Sequence, residues 1–552
     1  MTTGRWRRAA TAALVVGSAV VFGPSVSGPL APAAASPSGP AATAAAGPAA
    51  RADVTGDGIP DIVVASTARK SGGFTDPSAP DETGGSVYVI PGGSTVPGAP
   101  VSLIDQGDSV VVGSPEADDN FGMQIVTGDF NGDRRADVAI GNPAESIGTK
   151  LNAGAVTVLY GQPTAPYLGL IPNGTNWITQ DTGNLPGSVE AKDYFGAALT
   201  TGDFNGDGYA DLAIGAPGEA IGKVGSAGAV WVLYGGSYGL RTDNAVAYNE
   251  SSAAIPGVEE KNDHFGSSLA AGDITGDGRD DLVINVAGET VSGTTGAAGC
   301  LVLLKGSASG VTTSGVTNVC VPQINIGGHI NTVAVGRFHG GSNADVVLYA
   351  DQAKGAPTSS GALVVLRGSS GGISANNLMM ITQNSPGVSD VAEAGDLFGA
   401  ALSVGDINGD GADDLAVGAP GEDTGAGANE GAVQVFLGGP SGLTSGLDLF
   451  LTENHPMINA TGQFSEGFGS AVRLLDVTND GKPELLVTAP FEDFSYNTGT
   501  MFVLDLQATS SSITLTGCTT LTRDALGTVS AYGPGAPIAG GVIPPENLPN
   551  VT

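Results

Sequence analysis

The chain has 552 residues, among them 88 Gly and 33 Pro, and its 55 Asp and Glu against 21 Lys and Arg give a net charge of -34. That balance excludes nucleic acid and anionic lipid as partners, since both require a basic face, and it favours cations. With 41% hydrophobic residues gathered in short Val, Ile and Leu blocks, the chain is too apolar for disorder and reads as many short strands joined by turns.

Taken in chain order, residues 1–35 read as a signal peptide. Arg5, Arg7 and Arg8 precede an apolar stretch from Ala9 to Phe22, and Ala33-Ala34-Ala35 offers a small-residue cleavage site. The apolar stretch is too short for a membrane span, so the expectation is a secreted, extracellular protein without membrane insertion, and a monomer. Residues 36–51 form an Ala/Pro-rich linker, 52–533 the main domain and 534–552 a Pro- and Gly-rich C-terminal tail.

The domain is a repeat. The segment Gly202-Asp-Phe-Asn-Gly-Asp-Gly-Tyr-Ala-Asp211 runs into the apolar block Leu212 to Gly215 and then Ala216-Pro217. Counterparts of its first Asp stand at Asp53, Asp129, Asp273, Asp406 and Asp476, and a decayed copy runs from Arg337 to Asp345, so there are seven units. Five units open with Phe-Gly, at Phe121, Phe195, Phe265, Phe398 and Phe468, and each continues into a strand-like block such as Ala229 to Tyr234 or Ala432 to Leu437. Four strands in each of seven units describe an all-β, seven-bladed β-propeller. The first unit lacks a Phe-Gly strand, whereas Ala525 to Gly533 resembles Leu397 to Gly405. The ring is therefore expected to be closed by a C-terminal strand that completes the first blade.

The acidic loops carry the chemistry. In loop three, side-chain oxygens stand at alternate positions (Asp203, Asn205, Asp207), the Tyr209 carbonyl adds another, and Asp211 ends the loop with a carboxylate able to bind through both oxygens. Oxygen donors without His or Cys suit calcium rather than zinc. Loop two offers Asp129, Asn131, Asp133, the carbonyl of Arg135 and Asp137, and loop six Asp406, Asn408, Asp410, the carbonyl of Ala412 and Asp414. Loops one and four place Thr at the third position: Asp53, Thr55, Asp57, Ile59 and Asp61, then Asp273, Thr275, Asp277, Arg279 and Asp281. Loop seven, the sixth candidate, has Asp476, Thr478, Asp480, Lys482 and a terminal Glu484. In loop five Arg337, His339 and Gly341 replace three donors before Asp345, and Arg337 is expected to stand in for the ion's charge. EF-hand and dockerin loops require an acid at position twelve, where this chain has Ile140, Ile214, Ile284 or Val417.

Other signals are weighed against plainer explanations. Gly235-Gly-Ser237-Tyr-Gly239 and Gly368-Ser-Ser370-Gly-Gly372 match a nucleophile elbow but fall where other units have a turn. Glu145, Glu219, Glu289, Glu422 and Glu492 recur after the second strand, read here as loop packing rather than a cation-attracting surface. Cys300 and Cys320 fall in neighbouring strands of unit four, which predicts a disulfide in an exported protein, with Cys518 outside it. Asn173, Asn249, Asn459 and Asn550 lie in glycosylation sequons.

Phe-Gly, the acidic loop and Gly-Ala-Pro together resemble the FG-GAP repeats of the integrin α-subunit propeller, best at Phe195-Gly196 with Gly215-Ala216-Pro217 and at Phe398-Gly399 with Gly418-Ala419-Pro420. The resemblance covers about 52 to 533 and implies calcium in the loops, bracing the blades on one face while ligands meet the other. It points to a calcium-binding adhesion scaffold for an extracellular protein or glycan. FG-GAP propellers also stand behind the catalytic domain of glycosylphosphatidylinositol-specific phospholipase D, so a hydrolase is one alternative, although only signal and linker precede Asp53. A structural envelope protein without a dedicated ligand is another.

Overall fold

Each apolar block that follows an acidic loop forms a strand buried on both sides, as in Asp211–Ala216 and Ala229–Tyr234, where every residue is buried. Unbroken burial in a strand of about six residues means that sheets cover both of its faces. The outer strand of the same sheet, Arg241–Tyr248, is mostly exposed, and it is correspondingly polar. The computed structural model describes residues 52–522 apart from 67–84, 94–100, 114–118, 171–175, 292–296, 425–427, 459, 461, 463–465 and 491–499. The expected signal peptide, linker, closing strand at 525–533 and tail lie outside the described residues.

Seven antiparallel sheets follow one another along the chain. Blade one comprises Ile62–Ser66, Ser86–Ile90 and Ser102–Asp105. Blade two is Gln124–Gly128, Asp137–Asn142 and Ala155–Gly161, with Leu168–Gly169 and Trp177–Ile178 sharing the outer position. Blade three is Ala198–Gly202, Asp211–Ala216, Ala229–Tyr234 and Arg241–Tyr248; blade four is Phe265–Gly272, Asp281–Val286, Cys300–Lys305 and Thr312–Cys320. Blade five has Ile326–Gly336, Asp345–Ala353, Ala362–Leu366 and Met379–Ile381, with Ala297–Ala298 added in parallel to its inner strand. Blade six is Ala401–Gly405, Asp414–Ala419, Ala432–Phe436 and Asp448–Leu451, and blade seven Ala471–Leu475, Glu484–Ala489, Thr500–Thr509 and Ser512–Thr522. The single described helix is one turn, Val321–Ile324.

The core lies between blades rather than within them. Phe265, Ile284 and Val302 of blade four share one cluster with Val230, Val232 and Phe204 of blade three. Blade seven meets blade one in the same way, with Leu475, Val477, Met501 and Val503 packed among Ile62, Val64, Val87 and Ile104. The Gly93 N–H donates to the Val477 carbonyl at 2.7 Å, the same bond that Gly236 makes to Phe130 at 3.0 Å and Gly439 to Phe338 at 2.9 Å between consecutive blades. The ring therefore closes through face packing of the last blade on the first. Ile62–Ser66 pairs with Ser86–Ile90, and among the described residues no strand pairs with its other side.

This packing explains the two motifs. Phe195 is fully buried and meets Trp231 edge-on at 5.4 Å, a burial that contributes roughly 2 kcal/mol. Gly196 has a φ of +90°, which a residue with a Cβ rarely adopts. Gly215 faces the backbone of the next blade so closely that a Cβ there would lie 2.2 Å from the Gly266 carbonyl oxygen. The Gly of Gly-Ala-Pro in one blade and the Gly of Phe-Gly in the next are thus two sides of one backbone contact.

Candidate metal centres

In blades two to seven the loop joins the inner strand of its blade to the second strand, and loop one leads directly into Ile62–Ser66. In loop three the chain's own N–H groups aim the side-chain oxygens. Asp203 Oδ1 accepts from the Gly206 and Asp207 N–H groups at 2.7 and 3.1 Å, and Oδ2 accepts from Gly208 at 3.0 Å. Asn205 Oδ1 accepts from the Asp207 N–H at 2.7 Å and Asp207 Oδ1 from that of Tyr209 at 3.0 Å. Asp211, fully buried at the start of the second strand, accepts from Gly235 at 2.9 Å through Oδ1 and from Phe204 at 3.0 Å through Oδ2. A carboxylate oxygen that accepts one N–H keeps a second lone pair, so both Asp211 oxygens retain acceptor capacity.

Loops two and six repeat this pattern. Asp129 accepts from Gly132, Asp133 and Arg134, and Asp137 from Phe130 and Gly161. Asp406 accepts from Gly409, Asp410 and Gly411, and Asp414 from Ile407 and Gly438. Where Thr holds the third position, its N–H reaches the ninth residue instead: Thr55 to Asp61 at 2.8 Å and Thr275 to Asp281 at 2.7 Å. In loop seven carboxylate oxygens of Asp476, Asp480 and Glu484 lie within 4.8 Å of one another, and Thr478 Oγ1 donates to Glu484 at 2.9 Å. In all six loops the N–H of the seventh residue (Ile59, Arg135, Tyr209, Arg279, Ala412 or Lys482) donates to the acid at the fifth.

Burial sets the electrostatics. It pushes the Asp211 carboxyl up to about 8 against the pull of the Gly235 N–H, with Asp203 and Asp207 adding repulsion. Burial likewise raises Asp414 to about 7, Asp61 and Asp281 to about 6, and Asp137 and Glu484 in the same direction. Crowded, desolvated carboxylates of this kind are stabilised by a hard cation, and the donor set of carboxylate, amide, hydroxyl and carbonyl oxygens fits calcium. Arg135 pairs with Asp133 at 3.2 Å and Arg279 with Asp277 at 3.3 Å, in partly exposed geometries that hold the fifth-position oxygen weakly.

The loops also link blade to blade. The N–H of the eighth residue donates to the first-position carbonyl of the preceding loop, from Ala136 to Asp53, Ala210 to Asp129, Asp280 to Asp203, Ala344 to Asp273 and Asp413 to Arg337, at 2.7–3.1 Å. Pro483 and Pro60 occupy this position in loops seven and one and have no N–H to give. Ordering one loop therefore steadies its neighbour.

Loop five differs. Its Asp345 keeps the bond from Gly368 at 3.0 Å, and His339 Nδ1 sits 2.5 Å from Asp345 Oδ2. At the third position, where the other loops carry Asn or Thr, the side chain against Asp345 is His339. The two elbow-like motifs are tight turns, closed by Gly239 N–H to the Gly236 carbonyl and Gly372 N–H to the Ser369 carbonyl, both at 2.7 Å. Cys300 and Cys320 stand directly opposite in paired strands and form a disulfide, while Cys518 is half-buried in blade seven.

The recurrent glutamates lie at the opposite end of the strands from the loops. Glu145, Glu219 and Glu422 are buried and accept from Gln106, Gln180 and Gln383 at 2.9, 2.5 and 2.6 Å. Glu492 lies outside the described residues. Sequence reasoning missed the glutamines, although their constant 39-residue offset from the glutamates was legible.

The FG-GAP repeat model matches residues 121–159, 195–233, 265–299, 398–436 and 468–504. Over 165 residues the chain is 32% identical to phosphatidylinositol-glycan-specific phospholipase D of Rattus norvegicus, covering 30% of this chain and 18% of that protein. It is 34% identical over 170 residues to integrin alpha-PS5 of Drosophila melanogaster, covering 30% and 15%. It is 43% identical over 99 residues to integrin alpha-X of Mus musculus, covering 18% and 8%. The chain thus spans less than a fifth of the length of these relatives. Five matched repeats set in seven stacked sheets make the chain an FG-GAP-repeat β-propeller of the integrin-like kind.

Proposed function

We propose that this propeller is a calcium-braced extracellular scaffold that binds a protein or glycan ligand. The observation that carries the reading is the set of six loops with oxygen-only donors, each ending in a carboxylate whose charge burial disfavours. Calcium would be held by the first-, third-, fifth- and ninth-position side chains of loops one, two, three, four, six and seven and by the seventh-position carbonyl. It would neutralise the buried carboxylate and stiffen the hydrogen-bonded belt of loops, fixing the blades so that the opposite rim presents its loops in a constant arrangement. Likeness to integrin α chains supports an adhesive role and an extracellular setting, where the Cys300–Cys320 disulfide is also at home.

The test is solid-phase binding of the secreted protein to panels of extracellular matrix proteins and glycans, with calcium and with chelator. Calcium-dependent, saturable binding to a panel member supports the scaffold. Equal signals with calcium and chelator would oppose it, and turnover of a phosphodiester or glycoside substrate in a parallel screen would replace it with a hydrolase.

A further inference from the structure

The junction of blades three and four breaks the pairing that recurs after the second strand. At three junctions a Gln Nε2 donates to the glutamate 39 residues later: Gln106 to Glu145, Gln180 to Glu219 and Gln383 to Glu422. At the blade three–four junction the equivalent pair, with the same offset, is Glu250 and Glu289. A carboxylate has no proton to donate, so the replacement turns a hydrogen bond into a repulsion.

A third carboxylate joins them. Asp263, two residues before the inner strand Phe265–Gly272, brings an oxygen within 4.8 Å of oxygens of both glutamates. Glu250 is only 6% exposed, and its Oε2 has no hydrogen-bond partner; Glu289 Oε2 is likewise buried without one. Asp263 is oriented from below by the Glu260 N–H. The turn after Glu250 closes over it so tightly that a Cβ on Gly257 would lie 2.2 Å from Glu250 Oε1. The neighbouring charges that act on Glu250 are Glu289, Asp263 and Glu259, all negative.

Position separates this cluster from the acidic loops. In blade four Gly272 pairs with Asp281 at the loop-four end of the sheet, whereas Phe265 pairs with Val286 at the other end, beside Asp263 and Glu289. The cluster is on the opposite rim.

We propose that Glu250, Asp263 and Glu289 form a further cation site that takes a hard divalent ion of the calcium class, bridging blades three and four. Three converging carboxylates, one with an orphaned buried oxygen, provide the charge and the oxygen donors such an ion requires. The site is independent of the proposed filling of the acidic loops.

Glu250→Gln is the informative variant, because it restores the pairing present at three of the other junctions and so is compatible with the fold. Equilibrium dialysis of the secreted protein against calcium alone should find one equivalent fewer bound to E250Q than to the unmodified chain, with the remaining equivalents unchanged. Glu289→Gln, the mirror-image replacement, should lose the same single equivalent and serves if E250Q misfolds. In chelator both variants should melt no lower than the unmodified protein, since a repulsion has been removed. Equal, non-zero stoichiometry in all three proteins would overturn this site and leave the loops standing. Loss of all calcium in E250Q, with one equivalent in the unmodified chain, would uphold this site and overturn the loops. No binding in any protein would overturn both.

Discussion

Replacing Asp211 by Asn isolates one loop from the other five. In the folded protein Asp211 accepts N–H groups from Gly235 and Phe204 through separate oxygens. Asn retains one acceptor oxygen and turns a donor toward the other N–H, which costs about 1–3 kcal/mol with or without calcium. The metal adds a second, separable effect. A ligand present at a hundredfold excess over its Kd stabilises the folded state by about 2.7 kcal/mol per site. A propeller of roughly 480 residues unfolds with an entropy of about 1 kcal/mol/K, so one site is worth about 3 °C in Tm and six sites about 16 °C. Thermal unfolding in millimolar calcium and in chelator, followed by the fluorescence of Trp231 in the core beside Phe195, gives the calcium-induced shift for each protein. The shift should be about 3 °C smaller in D211N, on top of a lower Tm in both buffers. An identical calcium-induced shift in the two proteins would refute the assignment of Asp211, and no shift in either would refute calcium in the loops altogether.

Gly215→Ala should destabilise by about 1–3 kcal/mol, because the new Cβ meets the Gly266 carbonyl oxygen and neither backbone can yield, whereas Gly225→Ala, which meets nothing within 4 Å, should not; equal Tm values would discount the inter-blade contact. Burial pushes Glu219 up to about 8, so between its ordinary value of 4.5 and that point the folded chain keeps a proton the unfolded chain has released, and stability is lost as pH rises through that window. Glu219→Gln should reduce this loss by up to about 1.4 kcal/mol per pH unit, measured by denaturant unfolding in chelator at pH 5.5, 6.5 and 7.5; an unchanged slope would count against it. Deleting 524–552 should cause aggregation or loss of cooperative unfolding if 525–533 supplies the strand beside Ile62–Ser66, and deleting only 534–552 should be tolerated; a stable monomer lacking 524–552 would remove the closing strand from the fold.

The two rims of the ring divide the energetics of this protein. On the loop rim, carboxylates are crowded but each is tied to backbone N–H groups, so the acids are pre-aimed and a cation adds to an existing arrangement. On the other rim Glu145, Glu219 and Glu422 are capped by glutamine side chains from the preceding blade, which satisfy a buried acid without a metal. Loop five has its own solution, a histidine placed against the residual Asp345.

What the sequence by itself determined was everything that repeats within a unit. The alternation of oxygens from Asp203 to Asp211, the apolar block after it and the Phe-Gly before it recur at a near-constant spacing, so strand order, the placing of the acidic loops and the count of seven were all legible. Even the Cys300–Cys320 pairing followed, because adjacent strands of one blade are joined by a short turn. What only the tertiary structure decided was what meets across a junction between units. That Gly215 abuts Gly266, that Gln180 caps Glu219 and that Glu250 confronts Glu289 and Asp263 depend on how one blade stacks on the next. Local propensity and hydrophobic period are properties of a segment, whereas these contacts are set by the angle and spacing of sheets in a closed ring, which no single repeat encodes.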